Sequence, residues 1–191
     1  MDLRLKAATP RAWLDTVLAD FDTFLADHAS CEKKASGMAM SMISHYPDRP
    51  ELITEMLNLA VEEMSHFRDV VRLILERGQQ PAADQKDDYI NRLHKAMDQG
   101  KEAYLLDRLL IASIVEARGA ERFALIADGL ADPRLKKFYR AIADSEARHY
   151  QLFLTLAERY FPAVRIEPRL EALLDIEAAI IKDLPLKAAL H

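Results

Sequence analysis

The chain has 191 residues, of which 50% are hydrophobic and 30% charged, with a net charge of −5 and one cysteine, Cys31. That length supports one well-cored domain, expected to span residues 1–191. The composition excludes an internal disulfide framework and argues against a strongly basic nucleic-acid coat, and no apolar run reaches the ~20 residues of a membrane span. The N-terminal stretch MDLRLKAATPRAW lacks the apolar core of a secretory leader, so a cytoplasmic location is expected.

No stretch shows the sustained alternation of β-branched residues that a strand needs, and the chain reads as nearly all helix. Thr9–Pro10 is an N-cap followed by proline at the first helical position. The helix it opens breaks near Asp20, runs to about His45 and stops before Pro47. Asp48-Arg49-Pro50 starts the next long helix, which ends at Gly78. Residues 79–87, QQPAADQKD, are a loop, followed by a short helix near 88–97 and by Gly100. A long helix then covers 101–128 and ends at Gly129. Asp132–Pro133 caps another, which runs to about Tyr160, and Pro168 begins a last one to about Lys182. Four of these helices are long enough to extend ~40 Å each. Tight turns join the first long helix to the second and the third to the fourth, while more than twenty residues separate the second from the third. The pattern predicts an all-α four-helix bundle of the ferritin-like kind, with a long crossover between helices two and three and short accessory helices.

The stretch VEEMSHF, residues 61–67, sets Glu63 and His66 among residues suited to a core. SEARHY, residues 145–150, repeats the spacing with Glu146 and His149. Side chains three apart project from one helix face a turn apart, so a carboxylate and an imidazole so placed can ligate one metal ion. A lone glutamate precedes each pair: Glu32 stands 31 residues before Glu63, and Glu116 stands 30 before Glu146. Between antiparallel neighbours joined by a tight turn, that separation puts both residues at one height. Four carboxylates and two imidazoles are oxygen and nitrogen donors that suit iron or manganese, and their four negative charges offset two divalent ions. Ala35 and Gly119 occupy the slots three after the lone glutamates, where small residues serve either close helix packing or open space beside the ions. Glu62 and Ser145, each just before the glutamate of a pair, are candidates for holding the histidine of the opposite helix by its outer N–H.

These residues give the chain its resemblance to the ferritin-like di-iron superfamily. More closely, CEKKASGMAMSMI, LAVEEMSHF, LLIASIVEARGAERF and ADSEARHYQLF are similar to the signature segments of the tRNA 2-methylthio-N6-isopentenyladenosine hydroxylases. The resemblance implies a non-haem centre of two iron ions held by Glu32, Glu63, His66, Glu116, Glu146 and His149. It implies O₂ as co-substrate and hydroxylation of an isopentenyl group on the modified adenosine beside the anticodon of tRNA. Hydroxylation consumes two electrons, and the chain has neither a cysteine framework for an iron–sulfur centre nor a G-x-G-x-x-G fingerprint, so a separate reductase is expected. The basic stretch Arg134, Lys136, Lys137 and Arg140, then Lys33 and Lys34, are the candidate contacts to the anticodon loop. The competing reading from another functional class is ferritin- or rubrerythrin-like iron oxidation, iron storage or peroxide detoxification.

Overall fold

The computed structural model describes residues 3–191; Met1 and Asp2, the first residues of the expected domain, lie outside the described residues. Among the described residues there are seven helices and no strand: α1 (Arg11–Ala19), α2 (Phe21–His45), α3 (Pro50–Glu76), α4 (Asp88–Lys95), α5 (Lys101–Gly129), α6 (Pro133–Tyr160) and α7 (Ala163–Asp183). Local chemistry sets the boundaries. The break at Asp20 is a cap, because its side chain accepts from the Thr23 N–H at 3.3 Å. Asp87 caps α4 in the same way through Ile90 N at 3.1 Å. Gly100, at φ +103, turns the chain into α5 through a region closed to most side chains. Asp132 accepts from Arg134 N at 2.8 Å, with Pro133 supplying a first residue that has no N–H to satisfy.

One boundary departs from the sequence reading. The last helix begins at Ala163, five residues before Pro168, which sits inside it. Arg165 N donates to Pro162 O at 2.9 Å and closes a turn early. Phe161 and Ile166, both buried, anchor that turn from either side. The proline ring then removes one bond, to the carbonyl of Val164, whose residue is 78% exposed and thus open to water.

The chain divides into two compact units. One comprises Thr16–Gln85 with Lys187–Leu190, and the other the chain up to Asp15 with Lys86–Leu186 and His191. In the first unit α2 and α3 pack along their length. Their buried faces carry Phe24, Leu25, Ala29, Ala39 and Met42 on α2 and Leu52, Met56, Leu59, Val70 and Ile74 on α3. Each large side chain removed from water in this way contributes ~1.5–3 kcal/mol. Ser36 Oγ donates to Ala60 O at 2.9 Å, and these small residues let the two backbones approach. The loop after α3 is tied back to α2 by Ser30 and Lys33 on Asp84, each at 2.8 Å, and by Lys34 on Gln85 O at 2.8 Å.

In the second unit α5 and α6 pack along their length, with α4 and α7 beside them. The buried side chains include Leu105, Leu109, Ile114, Phe123 and Ile126 on α5, Tyr139, Ile142 and Phe153 on α6, and Ile166, Leu170 and Leu173 on α7. Ser113 Oγ donates to Tyr150 O at 3.0 Å between α5 and α6. The α4–α5 turn is held to α7 by Arg169, which donates to both oxygens of the buried Asp107 at 2.7 and 2.6 Å and to Ala96 O at 2.6 Å. Asp107 also accepts from Asp98 N at 2.6 Å.

Candidate metal centre

Each unit carries one cluster of buried carboxylates with a histidine. In the α2–α3 unit, helical spacing puts Glu63 and His66 on one face of α3, and Glu32 comes from α2. Glu32 is 4% exposed and Glu63 1%. His66 Nδ1 lies 3.5 Å from Glu32 Oε2 and 3.7 Å from Glu63 Oε2. One donor atom from each of the three lies within 4.8 Å of the others. Two carboxylates at that depth are costly without a positive charge beside them. Burial drives the His66 imidazole toward neutrality, but Glu32 and Glu63 outweigh it and hold its pKa raised to about 10. Burial pushes the Glu32 carboxyl up, and His28 with His66 more than reverses this, holding it well below the ordinary range.

His28 is a member of this cluster that sequence reasoning missed. Its Nε2 stands 2.6 Å from Glu32 Oε1, and the ring is fully buried. The signal was available, since His28 precedes Glu32 by four residues, the spacing at which helix neighbours meet.

In the other unit, Glu116 on α5 and Glu146 and His149 on α6 are 6%, 4% and 3% exposed. His149 Nδ1 lies 3.9 Å from Glu146 Oε2, and the three residues again offer donor atoms within 4.8 Å of one another. Ser145 Oγ is 3.5 Å from His149 Nε2 and accepts from Arg148 Nη2 at 3.1 Å. The expected partner of Ser145 was a histidine on another helix. The histidine it meets is on its own helix one turn on, as i, i+4 geometry dictates. Glu62 is half-buried on α3 and belongs to neither cluster. At Gly119 a Cβ would meet Glu146 Oε2 at 3.6 Å and Cγ at 3.7 Å, so a methyl group would sit in ordinary van der Waals contact beside this carboxylate.

The donor chemistry fits a metal ion in each cluster. Two carboxylates and one imidazole are oxygen and nitrogen donors suited to iron or manganese, and the pair of negative charges matches one divalent ion.

The basic candidates separate into two kinds. Lys33 and Lys34 hold the loop after α3 through Asp84 and Gln85. Arg134, Lys136, Lys137 and Arg140 are exposed near the start of α6, with Arg140 also paired to Asp128. Pro133, Lys136, Lys137, Arg140, Ala141 and Asp144 line an open depression of about 480 Å³. Among the described residues no helix is long and apolar enough to cross a membrane.

Comparison with known proteins gives concordant matches. The family model described as "tRNA-(MS[2]IO[6]A)-hydroxylase (MiaE)" matches residues 2–191. A tRNA 2-(methylsulfanyl)-N(6)-isopentenyladenosine(37) hydroxylase of Pseudomonas putida is 39% identical over 160 residues, covering 84% of this chain and 78% of the relative. A protein of the same name from Salmonella typhimurium is 33% identical over 155 residues, covering 81% of this chain and 56% of the relative. Among solved structures, Protein 43 with aldehyde deformylating oxygenase activity from Synechococcus superposes with a TM-score of 0.94 at 34% identity, covering 99% of this chain and 96% of that one. The all-α, ferritin-like fold class expected from the helix pattern is borne out.

Proposed function

The chain belongs to the MiaE family of tRNA hydroxylases, and on that premise we propose that it hydroxylates the isopentenyl group of 2-methylthio-N6-isopentenyladenosine next to the anticodon, as a non-haem di-iron monooxygenase. The observation that carries the di-iron part is the matched donor set, two buried carboxylates and an imidazole in each unit. In this reading Glu32, Glu63, His66, Glu116, Glu146 and His149 hold two iron ions, and residues 1–191 act as one domain. Such a centre, when bound, supplies the activation of O₂ that places one oxygen atom in a C–H bond and releases the other as water, using two electrons from a separate reductase.

The chain's own residues prepare that chemistry. Four carboxylates match the charge of two divalent ions, so the buried site is neutral when loaded. With a metal on His149 Nδ1, the Nε2 side would carry the hydrogen, and Ser145 Oγ, 3.5 Å from Nε2, would be its acceptor. The exposed Lys136 and Lys137, with Arg134 and Arg140, suit the phosphates of an anticodon loop, whose unpaired bases are already open to extraction. Because Lys33 and Lys34 are engaged by the loop after α3, the α6 stretch is the favoured docking surface.

The test is turnover of the reduced, iron-loaded protein with substrate tRNA under ¹⁸O₂, followed by mass spectrometry of the nucleosides. One ¹⁸O in the isopentenyl group is expected. An unmodified nucleoside, or oxygen drawn only from water, would falsify the monooxygenase reading, and rapid Fe(II) oxidation with mineral accumulation would favour iron storage instead.

A further inference from the structure

α3 carries two apolar stripes where a surface helix needs one. The inner stripe, with Leu52, Met56, Leu59 and Val70, is buried. The outer one is Leu57, Val61, Met64, Arg68, Val71 and Leu75, apolar but for the arginine. Its steps of four, three, four, three and four residues are the repeat of a helix-pairing seam. Leu57, Val61, Met64 and Leu75 are 47%, 72%, 45% and 57% exposed, so about half or more of each meets water. α2 runs antiparallel beside this helix, and Ser36 Oγ donates to Ala60 O. Met40, a turn after Ser36, therefore stands at the height of Met56 and Leu57, and it is 49% exposed. Single exposed apolar residues are ordinary, but a row of this length marks an interface.

The edge of the seam says what covers it. Glu51, Asn58, Ser65 and Arg72 follow one another there at seven-residue intervals, an acid at one end and a base at the other. Turned end for end, a second α3 brings its Arg72 to Glu51 and its Ser65 to Asn58. Each contact then occurs twice, as two-fold symmetry requires. In the seam, Val61 meets Met64 of the second copy, and Leu57 meets the stem of its Arg68. That guanidinium is held along its own helix by Ser65 at 2.7 Å and Asp69 at 3.1 Å. A parallel pairing would set Arg68 against Arg68. A face ~40 Å long and two helices, ~20 Å, wide offers about 800 Å² per partner, which is what a stable dimer buries. We propose that this face is the interface of a homodimer, in which two copies of α3 pair antiparallel about a two-fold axis between Val61 and Met64. The inference stands apart from the catalytic reading, since none of these side chains belongs to either carboxylate cluster.

Sedimentation equilibrium of the full chain, from about 1 to 100 µM, tests it. The wild type is expected to reach twice the chain mass in this range. Val61→Glu, at the most exposed position of the seam, is expected to weaken association on the order of 100-fold with unchanged helical circular dichroism. Glu51→Arg alone and Arg72→Glu alone each place like charges across the axis twice, and each is expected to weaken association several-fold. The double variant Glu51→Arg/Arg72→Glu re-forms both pairs and is expected to recover wild-type strength, a reciprocity that no other occupant of the face would show. A wild type that keeps the mass of one chain overturns the proposal, as does a dimer indifferent to Val61→Glu. Should Val61→Glu misfold, the charge series decides, and a double variant weaker than either single one overturns the antiparallel pairing. A monomeric wild type that floats with phospholipid vesicles, and loses this in Val61→Glu, gives the face to a membrane and overturns the proposal as well.

Discussion

Gly119 lies beside the Glu116–Glu146–His149 cluster, where a methyl group would fit. A Cβ added there meets Glu146 Oε2 at 3.6 Å and Phe123 Cε2 at 3.8 Å, ordinary van der Waals distances. Gly119→Ala is therefore expected to keep full metal content. Gly119→Leu must push the Glu146 carboxylate aside, and is expected to lose about half the iron per chain while keeping its helical circular dichroism. Metal analysis after anaerobic reconstitution with Fe(II) checks both, and a Leu variant that retains all its iron would show that the slot holds a large side chain without disturbing the cluster. The six candidate carboxylate and histidine positions were legible in the sequence because a Glu–His pair repeats at a three-residue helical spacing and a lone glutamate stands 31 or 30 residues before each pair. The neighbour of Gly119 was not, because it comes from another helix, and spacing along α5 carries no record of α6. His28 lies between these cases: its spacing was visible, but a single histidine beside Asp27 and Cys31 does not announce which neighbour it holds.

At the scale of elements, the proposed function puts two tasks on one helix, α6. Its middle turns carry Glu146 and His149, and its first two turns expose Lys136 and Lys137. Charge reversal at Lys136→Glu/Lys137→Glu is expected to weaken tRNA association and to lower the slope of log K against log salt by ~0.7–0.9 for each phosphate that is no longer neutralised. Metal content should not change. Titration with tRNA at several salt concentrations measures both quantities, and an unaltered slope would move the docking surface off α6. Helix boundaries were largely legible because Asp20, Asp87, Gly100 and Asp132 act through local chemistry. The start of α7 was not, since burial of Phe161 and Ile166 outweighs the local preference for proline at a helix start. The capture of Lys33 and Lys34 by Asp84 and Gln85 was equally hidden, as it depends on where a loop folds back fifty residues later.

At the scale of the molecule, the unit that carries α5 and α6 is fastened by one buried guanidinium. Arg118, 0% exposed, donates from Nε to Glu177 Oε1 at 2.8 Å and from Nη2 to Glu177 Oε2 at 3.1 Å and Ala7 O at 2.8 Å. Its Nη1 pairs with Glu121, which also accepts from Thr9 Oγ1 at 2.7 Å. Tyr89 of α4 donates to Glu177 at 3.2 Å, and burial with the Glu177 charge keeps its hydroxyl protonated well above the ordinary range. The N-terminal segment, α4 and α7 thus all meet at α5. Arg118→Met strands the Glu177 charge in the core and is expected to cost about 3–5 kcal/mol, while Arg118→Met/Glu177→Leu recovers much of it. Denaturant unfolding of the three proteins measures this, and equal losses in the single and double variants would count against it. No periodicity reveals such a hub, because its members come from four separate parts of the chain.

The loop that follows α3 has a consequence of its own for how this chain tolerates change in length. Ser30, Lys33 and Lys34 hold it at Asp84 and Gln85 only, whereas residues 80–83 are exposed. Extra residues placed at 80–83 add slack to an open span, at an entropic cost that rises slowly with loop length. The same residues placed at 84–85 slide the acceptors out of register with α2, the helix that carries Glu32. Grafted peptides, labels and epitope tags therefore belong ahead of Asp84, where the chain can lengthen without disturbing the helix behind it.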